Sequence, residues 1–454
     1  MKYDLVIIGG GPGGYQAALK AAENNLKTAL VEGGQIGGTC LNRGCIPTKL
    51  FLGATSVVAE LESQKRLRLA KGSADFDLCS LQNRKKTIIS STRKHMLSKL
   101  EKSGVDIFLE QGRLGGEGTV IAGDSRLNCR HIIIATGSRS GFFPGMEPDH
   151  ESILTSTDAL ELRDVPSTLT VVGAGPVGLE IGQIFSRLGA RVTLVEAMER
   201  VAPLEDEDVS KELTRYLKRE KWDIRIGVKV TGIERESGTL KVRLDSNQNI
   251  DSEKCLLALG RLPNAEGLNL ESSGIKTYGP GWVRTDENLM AAPGFYAIGD
   301  INGRSMYAHS AAHQADFVLE HILGSSNEPY FDKLAPACIY GSMEIIRAGQ
   351  TRRELSIKNV PFGVSKVTLA GNAIAQGHGQ IQGFIKVFWS DQRVMGITGI
   401  GHGLSGLITL AQVIVDQKWS RDEVKKHIFA HPTLDEALKE ALIAPVEVES
   451  HEGL

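Results

Sequence analysis

Tyr3-Asp4-Leu5-Val6-Ile7-Ile8-Gly9-Gly10-Gly11-Pro12-Gly13-Gly14 carries a short β-branched and apolar run straight into a glycine cluster. Such a run, bounded by glycine, predicts a buried parallel strand. The cluster holds G-x-G-x-x-G at Gly9, Gly11 and Gly14. An alanine-rich helical stretch follows over residues 15–24, and a second strand over 28–31 ends at Glu32. In this unit the first glycine makes a tight turn and the second admits a pyrophosphate to the backbone. The third lets the helix pack closely on the strand. Unpaired N–H groups and the dipole at the helix N-terminus favour the phosphate charge, and Glu32 is placed to accept from ribose hydroxyls. Glycine-rich turns are common; the order strand, helix, strand, acid gives the motif its force.

The unit occurs twice. A strand over 169–172 leads into Gly173, Gly175 and Gly178, then a helix over 179–188 and a strand over 191–195 ending at Glu196. The acid follows the first glycine by 23 residues in each copy, from 9 to 32 and from 173 to 196. The chain therefore reads as α/β, with two Rossmann-like dinucleotide-binding domains. Glu196 would bond the 2′-hydroxyl of NAD and repel the 2′-phosphate of NADP. Arg191 and Arg200 lie nearby but do not replace the acid.

Between the copies lies Gly38-Thr39-Cys40-Leu41-Asn42-Arg43-Gly44-Cys45-Ile46-Pro47-Thr48-Lys49. A thiol pair placed this close to a nucleotide site has one economical use, exchanging two electrons with the cofactor. A zinc reading of Cys40 and Cys45 fails because no second Cys or His pair lies at ligand spacing nearby. The stretch resembles the redox-active segment of the flavin-dependent disulfide oxidoreductases. Its wording is closer to the dihydrolipoamide dehydrogenases than to the glutathione reductases.

That resemblance covers the whole chain and assigns roles. Cys40 and Cys45 would form the redox disulfide, Cys40 exchanging with the thiol substrate and Cys45 facing FAD. Lys49 would stand by the flavin, held by Glu180. The Phe295-Tyr296-Ala297-Ile298-Gly299-Asp300 segment implies Asp300 on the flavin ribitol, with Met306, Ala308 and His309 against the ring system. Further cofactor contacts are implied at Thr39, Gly112, Thr136, Gly137, Val230 and Gly260. His431-Pro432-Thr433-Leu434-Asp435-Glu436 matches the family's acid–base segment, His431 taking the thiol proton and Glu436 orienting it. A base is wanted because a free thiol has a pKa near 8.5 and only thiolate attacks. In the family this histidine reaches the cysteines of the other subunit, which implies a homodimer. Lipoyl-bearing proteins of 2-oxo acid dehydrogenase or glycine-cleavage complexes are the implied partners.

Punctuation and resemblance divide the chain into an FAD-binding domain (1–143), an NAD-binding domain (144–263), a central segment completing the FAD site (264–330) and a C-terminal α+β dimerisation domain (331–454). This last is expected to hold alternating strands with two late helices. With 52 basic and 54 acidic side chains, the net charge of −2 gives no electrostatic basis for nucleic acid or anionic membrane. The basic stretch from Arg84 to Lys102 is spaced like a solvated helix face. The first strand begins at once and no run approaches a membrane span, so a cytoplasmic location is expected. Cys79, Cys129, Cys255 and Cys338 are expected to be isolated buried thiols.

Three departures from the family pattern fall in the C-terminal domain. Phe429-Ala430-His431 lacks the earlier histidine of the usual segment, Gly341-Ser342-Met343-Glu344 stands for TxPE, and Gly401-His402-Gly403-Leu404-Ser405-Gly406 lacks the usual glutamate. None removes a redox group. Two alternatives remain open beside dihydrolipoamide oxidation: reduction of another disulfide or a metal substrate, and a non-catalytic flavoprotein subunit.

Overall fold

The computed structural model describes residues 2–236, 238–326, 328–330 and 334–448. Phe331, where the dimerisation domain was expected to begin, and the tail from Glu449 lie outside them. The chain divides into two compact units. The first comprises Met1–Thr48, Cys79–Gly141 and Leu259–Ala335; the second comprises Lys49–Leu78, Phe142–Ala258 and Pro336–Leu454.

The first unit is built on a sheet whose parallel members run in the order Phe295–Ala297, Ser125–Ile134, Lys2–Ile8, Thr28–Val31 and Asp106–Phe108. The opening strand is buried on both faces, as its unbroken apolar run requires. Leu5 and Ile7 pack with Ala17, Ala18, Ala315 and Val318 from helices Pro12–Glu23 and Ala308–Ile322. Val6 and Ile8 pack with Val120, Ile132 and Leu270 on the other side. Helix Leu78–Lys102 contains the basic stretch, but Lys85 is only 2% exposed, so this face is not wholly solvated.

The second unit contains a five-stranded parallel sheet in the order Asp223–Ile226, Arg191–Glu196, Thr168–Val172, Lys254–Leu257 and Ile153–Leu154. This is the mononucleotide-binding arrangement, with the glycine turn leaving the central strand. A six-stranded antiparallel sheet runs from Ala337–Ile339 through Glu344–Gly349, Arg393–Gly401, Gly383–Ser390 and Gly363–Thr368 to Glu447–Val448. Among the described residues the late part of the chain holds three helices, Ile408–Asp416, Arg421–Lys425 and Asp435–Ile443, rather than the two expected. The short middle one has no apolar period long enough to read from sequence. It is set instead by a capping box, in which Ser420 and Glu423 bond each other's backbone N–H. Among the described residues no helix is long and apolar enough to cross a membrane.

Candidate active site

The two glycine turns repeat each other bond for bond. Gly9 N–H donates to Val31 O and Gly173 N–H to Val195 O, both at 2.8 Å. Glu32 accepts from Gly10 N (2.6 Å) and Gly34 N (2.7 Å). Glu196 accepts from the equivalent Ala174 N (2.7 Å) and Met198 N (2.8 Å). Each acid thus staples its own turn, and its remaining lone pairs are left for ribose hydroxyls. A Cβ on Gly9 would stand 2.3 Å from Ala135 O and one on Gly173 2.4 Å from Ala258 O; on Gly14 and Gly178 it would strike the turn itself at 1.8 and 2.1 Å. By contrast, nothing lies within 4 Å of a Cβ on Gly175, and only Gly38 Cα, at 4.0 Å, beside one on Gly11. The outer glycines are therefore required by packing, and the middle ones face open space at a helix N-terminus. Helices Pro12–Glu23 and Pro176–Arg187 begin with proline and have no side-chain cap. That leaves first-turn N–H groups for a pyrophosphate, so the residues present fit a dinucleotide at each turn.

Other residues of the FAD half are fixed by contacts that the sequence reading missed. Asp300 lies in the turn Gly299–Asn302, where Ser138 Oγ donates to its carboxylate and Arg261 Nε stands 3.5 Å away. Thr136 Oγ1 donates to Asn264 O and Asn264 Nδ2 to Thr136 O, both at 2.9 Å, beside Gly137 at φ +69°. Gly112 has a packing reason of its own, since a Cβ there would meet Ile8 and Val31 at 2.9 Å. Met306 is exposed, and Ala308 and His309 form the first turn of helix Ala308–Ile322. In the second unit Val230 opens strand Val230–Glu236 and is buried, while Gly260 (φ +103°) falls just inside the first unit, before strand Arg261–Pro263.

Thr39 and Cys40 lie in helix Gly38–Arg43, and Cys45 opens helix Cys45–Arg66, which carries Lys49 one turn later. Cys40 is half-buried and Cys45 exposed. Lys49 Nζ lies 2.6 Å from Glu180 Oε2, and Tyr340 N–H donates to Glu180 Oε1 at 3.1 Å. Glu180 is only 5% exposed, so it is not ordinary surface charge. Burial pushes its pKa up; the Lys49 ammonium and the Tyr340 N–H oppose that without cancelling it.

His431 and Glu436 meet at the start of helix Asp435–Ile443, with Nδ1 2.9 Å from Oε1 and 3.1 Å from Oε2. The hydrogen bond with His431, then the Thr433 N–H, holds the Glu436 carboxyl below its ordinary range. The His431–Pro432 peptide is cis. Asn372 Nδ2 donates to Thr433 O at 2.8 Å and so fixes this turn from outside.

The remaining thiols depart in part from expectation. Cys79 is exposed, Cys129 and Cys338 are half-buried, and Cys255 is buried. Burial pushes the last three up to about 12, which keeps them protonated at neutral pH. Cys338 is not isolated: the charges of Glu344, Glu180 and Lys49 all act on it.

Residues 3–315 match the model of the pyridine nucleotide-disulphide oxidoreductases, and residues 335–442 match that family's dimerisation domain. The chain belongs to this family. Among curated relatives, it is 33% identical to a dihydrolipoyl dehydrogenase of Chlorobaculum tepidum, covering 97% of this chain and 96% of that one. It is 35% identical to dihydrolipoyl dehydrogenase 3 of Pseudomonas aeruginosa, covering 97% of each. Among solved structures, LpdA from Mycobacterium tuberculosis superposes with a TM-score of 0.89 at 26% identity, over 97% of this chain and 99% of that one. The HOCl-induced flavoprotein disulfide reductase RclA from Escherichia coli shares the fold, with a TM-score of 0.86 at 23% identity over 97% and 99%. As a pyridine nucleotide-disulphide oxidoreductase the chain is an FAD- and NAD-dependent enzyme acting on sulfur groups, with a dimerisation domain at its C-terminal end.

Proposed function

We propose that this chain oxidises dihydrolipoamide, carried on lipoyl-bearing proteins of a 2-oxo acid dehydrogenase or glycine-cleavage complex, with NAD⁺ as final acceptor. The observation that carries the reading is one helix that begins at Cys45 and brings Lys49 to 2.6 Å from a buried glutamate. Full-length similarity to dihydrolipoyl dehydrogenases supports the choice of thiol. The segments 1–143, 144–263, 264–330 and 331–454 serve as FAD-binding, NAD-binding, FAD-completing and dimerisation parts, and the dimer works in the cytoplasm.

His431 Nε2 takes a proton from one substrate thiol while Glu436 holds the ring through Nδ1. The resulting thiolate attacks Cys40 of the Cys40–Cys45 disulfide; a mixed disulfide forms and Cys45 is released as thiolate. The second substrate sulfur then displaces Cys40 and closes the lipoamide ring. Substrate sulfur is thereby oxidised and the protein disulfide reduced, two electrons for two electrons. FAD, when bound, supplies the two-electron relay between this dithiol and NAD⁺. Gly9, Gly11, Gly14 and Glu32 would hold it, with Thr39, Gly112, Thr136, Gly137, Asp300, Met306, Ala308 and His309. Gly173, Gly175, Gly178, Glu196, Val230 and Gly260 would hold NAD. Lys49, on the helix that Cys45 opens, would be held beside the flavin by the buried Glu180, as a fixed positive charge where the reduced ring gains negative charge.

Two measurements test this. A steady-state screen of dihydrolipoamide, glutathione and other thiol pairs, each with NAD⁺ and NADP⁺, should give the highest kcat/KM for dihydrolipoamide with NAD⁺; a preference for another thiol or for NADP⁺ rejects the substrate assignment. Anaerobic two-electron reduction should raise a long-wavelength band from thiolate against oxidised flavin. Cys45→Ser should abolish it, and persistence of the band in that variant would show that another sulfur faces the cofactor.

A further inference from the structure

Helix Pro176–Arg187 presents Glu180, Gln183 and Arg187 at successive turns to the segment Tyr340-Gly341-Ser342. Each of these three side chains makes hydrogen bonds there. Glu180 Oε1 accepts from Tyr340 N at 3.1 Å, Gln183 Oε1 accepts from Ser342 N at 3.1 Å, and Gln183 Nε2 donates to Tyr340 O at 3.4 Å. Arg187 donates to Ser342 Oγ at 2.8 Å and reaches back to Leu52 O at 3.1 Å, on the helix that carries Lys49. The backbone of Tyr340 is thus gripped on both sides. Its ring lies under Lys49, with Nζ 4.5 Å from the ring centroid.

We propose that Tyr340 is a positioning residue for Lys49, and that Gln183 holds Tyr340 in place. Among the described residues the ammonium's ion-pair partner is Glu180 Oε2, which fixes a distance but not a direction. The face of the ring supplies the second restraint. A cation over an aromatic face gains about 0.5–2 kcal/mol, most where water is excluded, and Glu180 is buried. Burial pushes the Tyr340 hydroxyl up to about 12, so the phenol stays neutral and brings no competing charge.

The grip also explains one departure from the family pattern. Gly341 stands where threonine is usual, at φ +155°, and a Cβ there would lie 2.3 Å from Gln183 Oε1. Glycine and Gln183 are therefore a matched pair in this chain: the glutamine takes the space a side chain at 341 would need.

The inference rests on the role proposed above for Lys49 beside the flavin, and the test separates the two. The midpoint potential of the FAD-loaded dimer is measured by anaerobic titration, together with the long-wavelength band at the two-electron stage. Tyr340→Leu should make reduction less favourable, changing the equilibrium constant roughly two- to thirtyfold, and weaken the band. Tyr340→Phe, which keeps the ring, should behave as the parent. Should Tyr340→Leu fail to retain FAD, Gln183→Met decides, since it frees Tyr340 O and Ser342 N while keeping side-chain volume; it should shift the potential in the same direction. An unchanged potential in Tyr340→Leu, or in Gln183→Met where that variant decides, overturns the proposal. Equal shifts in the Leu and Phe variants also overturn it, because the hydroxyl and not the ring would then be at work. Lys49→Met is the control. If it leaves the potential unmoved, the role of Lys49 itself fails and Tyr340 falls with it; a shift there beside none at Tyr340 sinks only the present inference.

Discussion

His431→Gln should slow dihydrolipoamide oxidation by about 10²–10⁴-fold, while NADH still reduces dyes through the flavin at the parent rate. The selectivity follows from where the imidazole acts. Its Nδ1 is engaged by both oxygens of Glu436, which leaves Nε2 to take the thiol proton. Glutamine keeps polarity and much of the length but cannot accept and return a proton. Electron flow from NADH to a dye needs neither a substrate thiolate nor this base. Glu436→Gln should fall between the two, because an amide still accepts from Nδ1–H but carries no charge to stabilise the imidazolium. The carboxyl of Glu436 lies below its ordinary range, so it is ionised throughout the pH range in which the enzyme would turn over. Parallel steady-state assays with dihydrolipoamide and with dye check this. Equal loss of both activities would mean that the His431 turn is structural.

The histidine turn was reached through the family's acid–base segment, whose residues are neighbours in sequence and so survive as a continuous pattern. The two glycine turns were legible for a related reason: their demands are made by the backbone itself, so only glycine satisfies Gly9, Gly14, Gly173 and Gly178. Pairs far apart in the chain are another matter. Lys49 and Glu180, 131 residues apart, were reached only through family resemblance. Tyr340, Gln183 and Arg187 carry no pattern of their own; they acquire a role because a helix and a strand end happen to be packed together. Arg261 and Ser138, 123 residues apart and both at Asp300, were missed for the same reason. Residue-type averages failed where context opposed them. Cys79, one position into its helix, is exposed although cysteine is commonly buried, and Lys85 is buried although lysine seldom is.

Lys386→Met should destabilise the protein by about 3–5 kcal/mol, because it strands a carboxylate inside the second unit. Lys386 lies on strand Gly383–Ser390 with its side chain 2% exposed, and its ammonium is 2.7 Å from Asp206 Oδ1 and 2.8 Å from Asp208 Oδ2. Asp206 is equally buried and caps helix Glu207–Arg219 by accepting from Asp208 N at 3.0 Å. Beside it Glu205 meets Arg347 at 3.1 Å, and Lys366 meets Asp208 at 2.9 Å. Removing this buried cation leaves Asp206 with its desolvation cost and, among the described residues, Arg352 at 3.9 Å to offset it. The loss is thus set by the orphaned charge rather than by the worth of the pair. Lys386→Met with Asp206→Asn should therefore be more stable than Lys386→Met alone, a coupling that urea titration of the four proteins measures. Additive losses would show that volume, not charge, decides the site. The same cluster fixes an acid limit. Burial works to raise the pKa of Asp208, but hydrogen bonds from Lys386 and Lys366 outweigh it and hold the carboxyl well below its usual range. A group depressed in the folded state contributes stability above its unfolded pKa, about 3.9 for aspartate, and loses it as pH falls toward the folded value. The parent should accordingly weaken below about pH 4. In Lys386→Met that acid-dependent part should shrink, since Asp208 keeps only Lys366 to hold its charge.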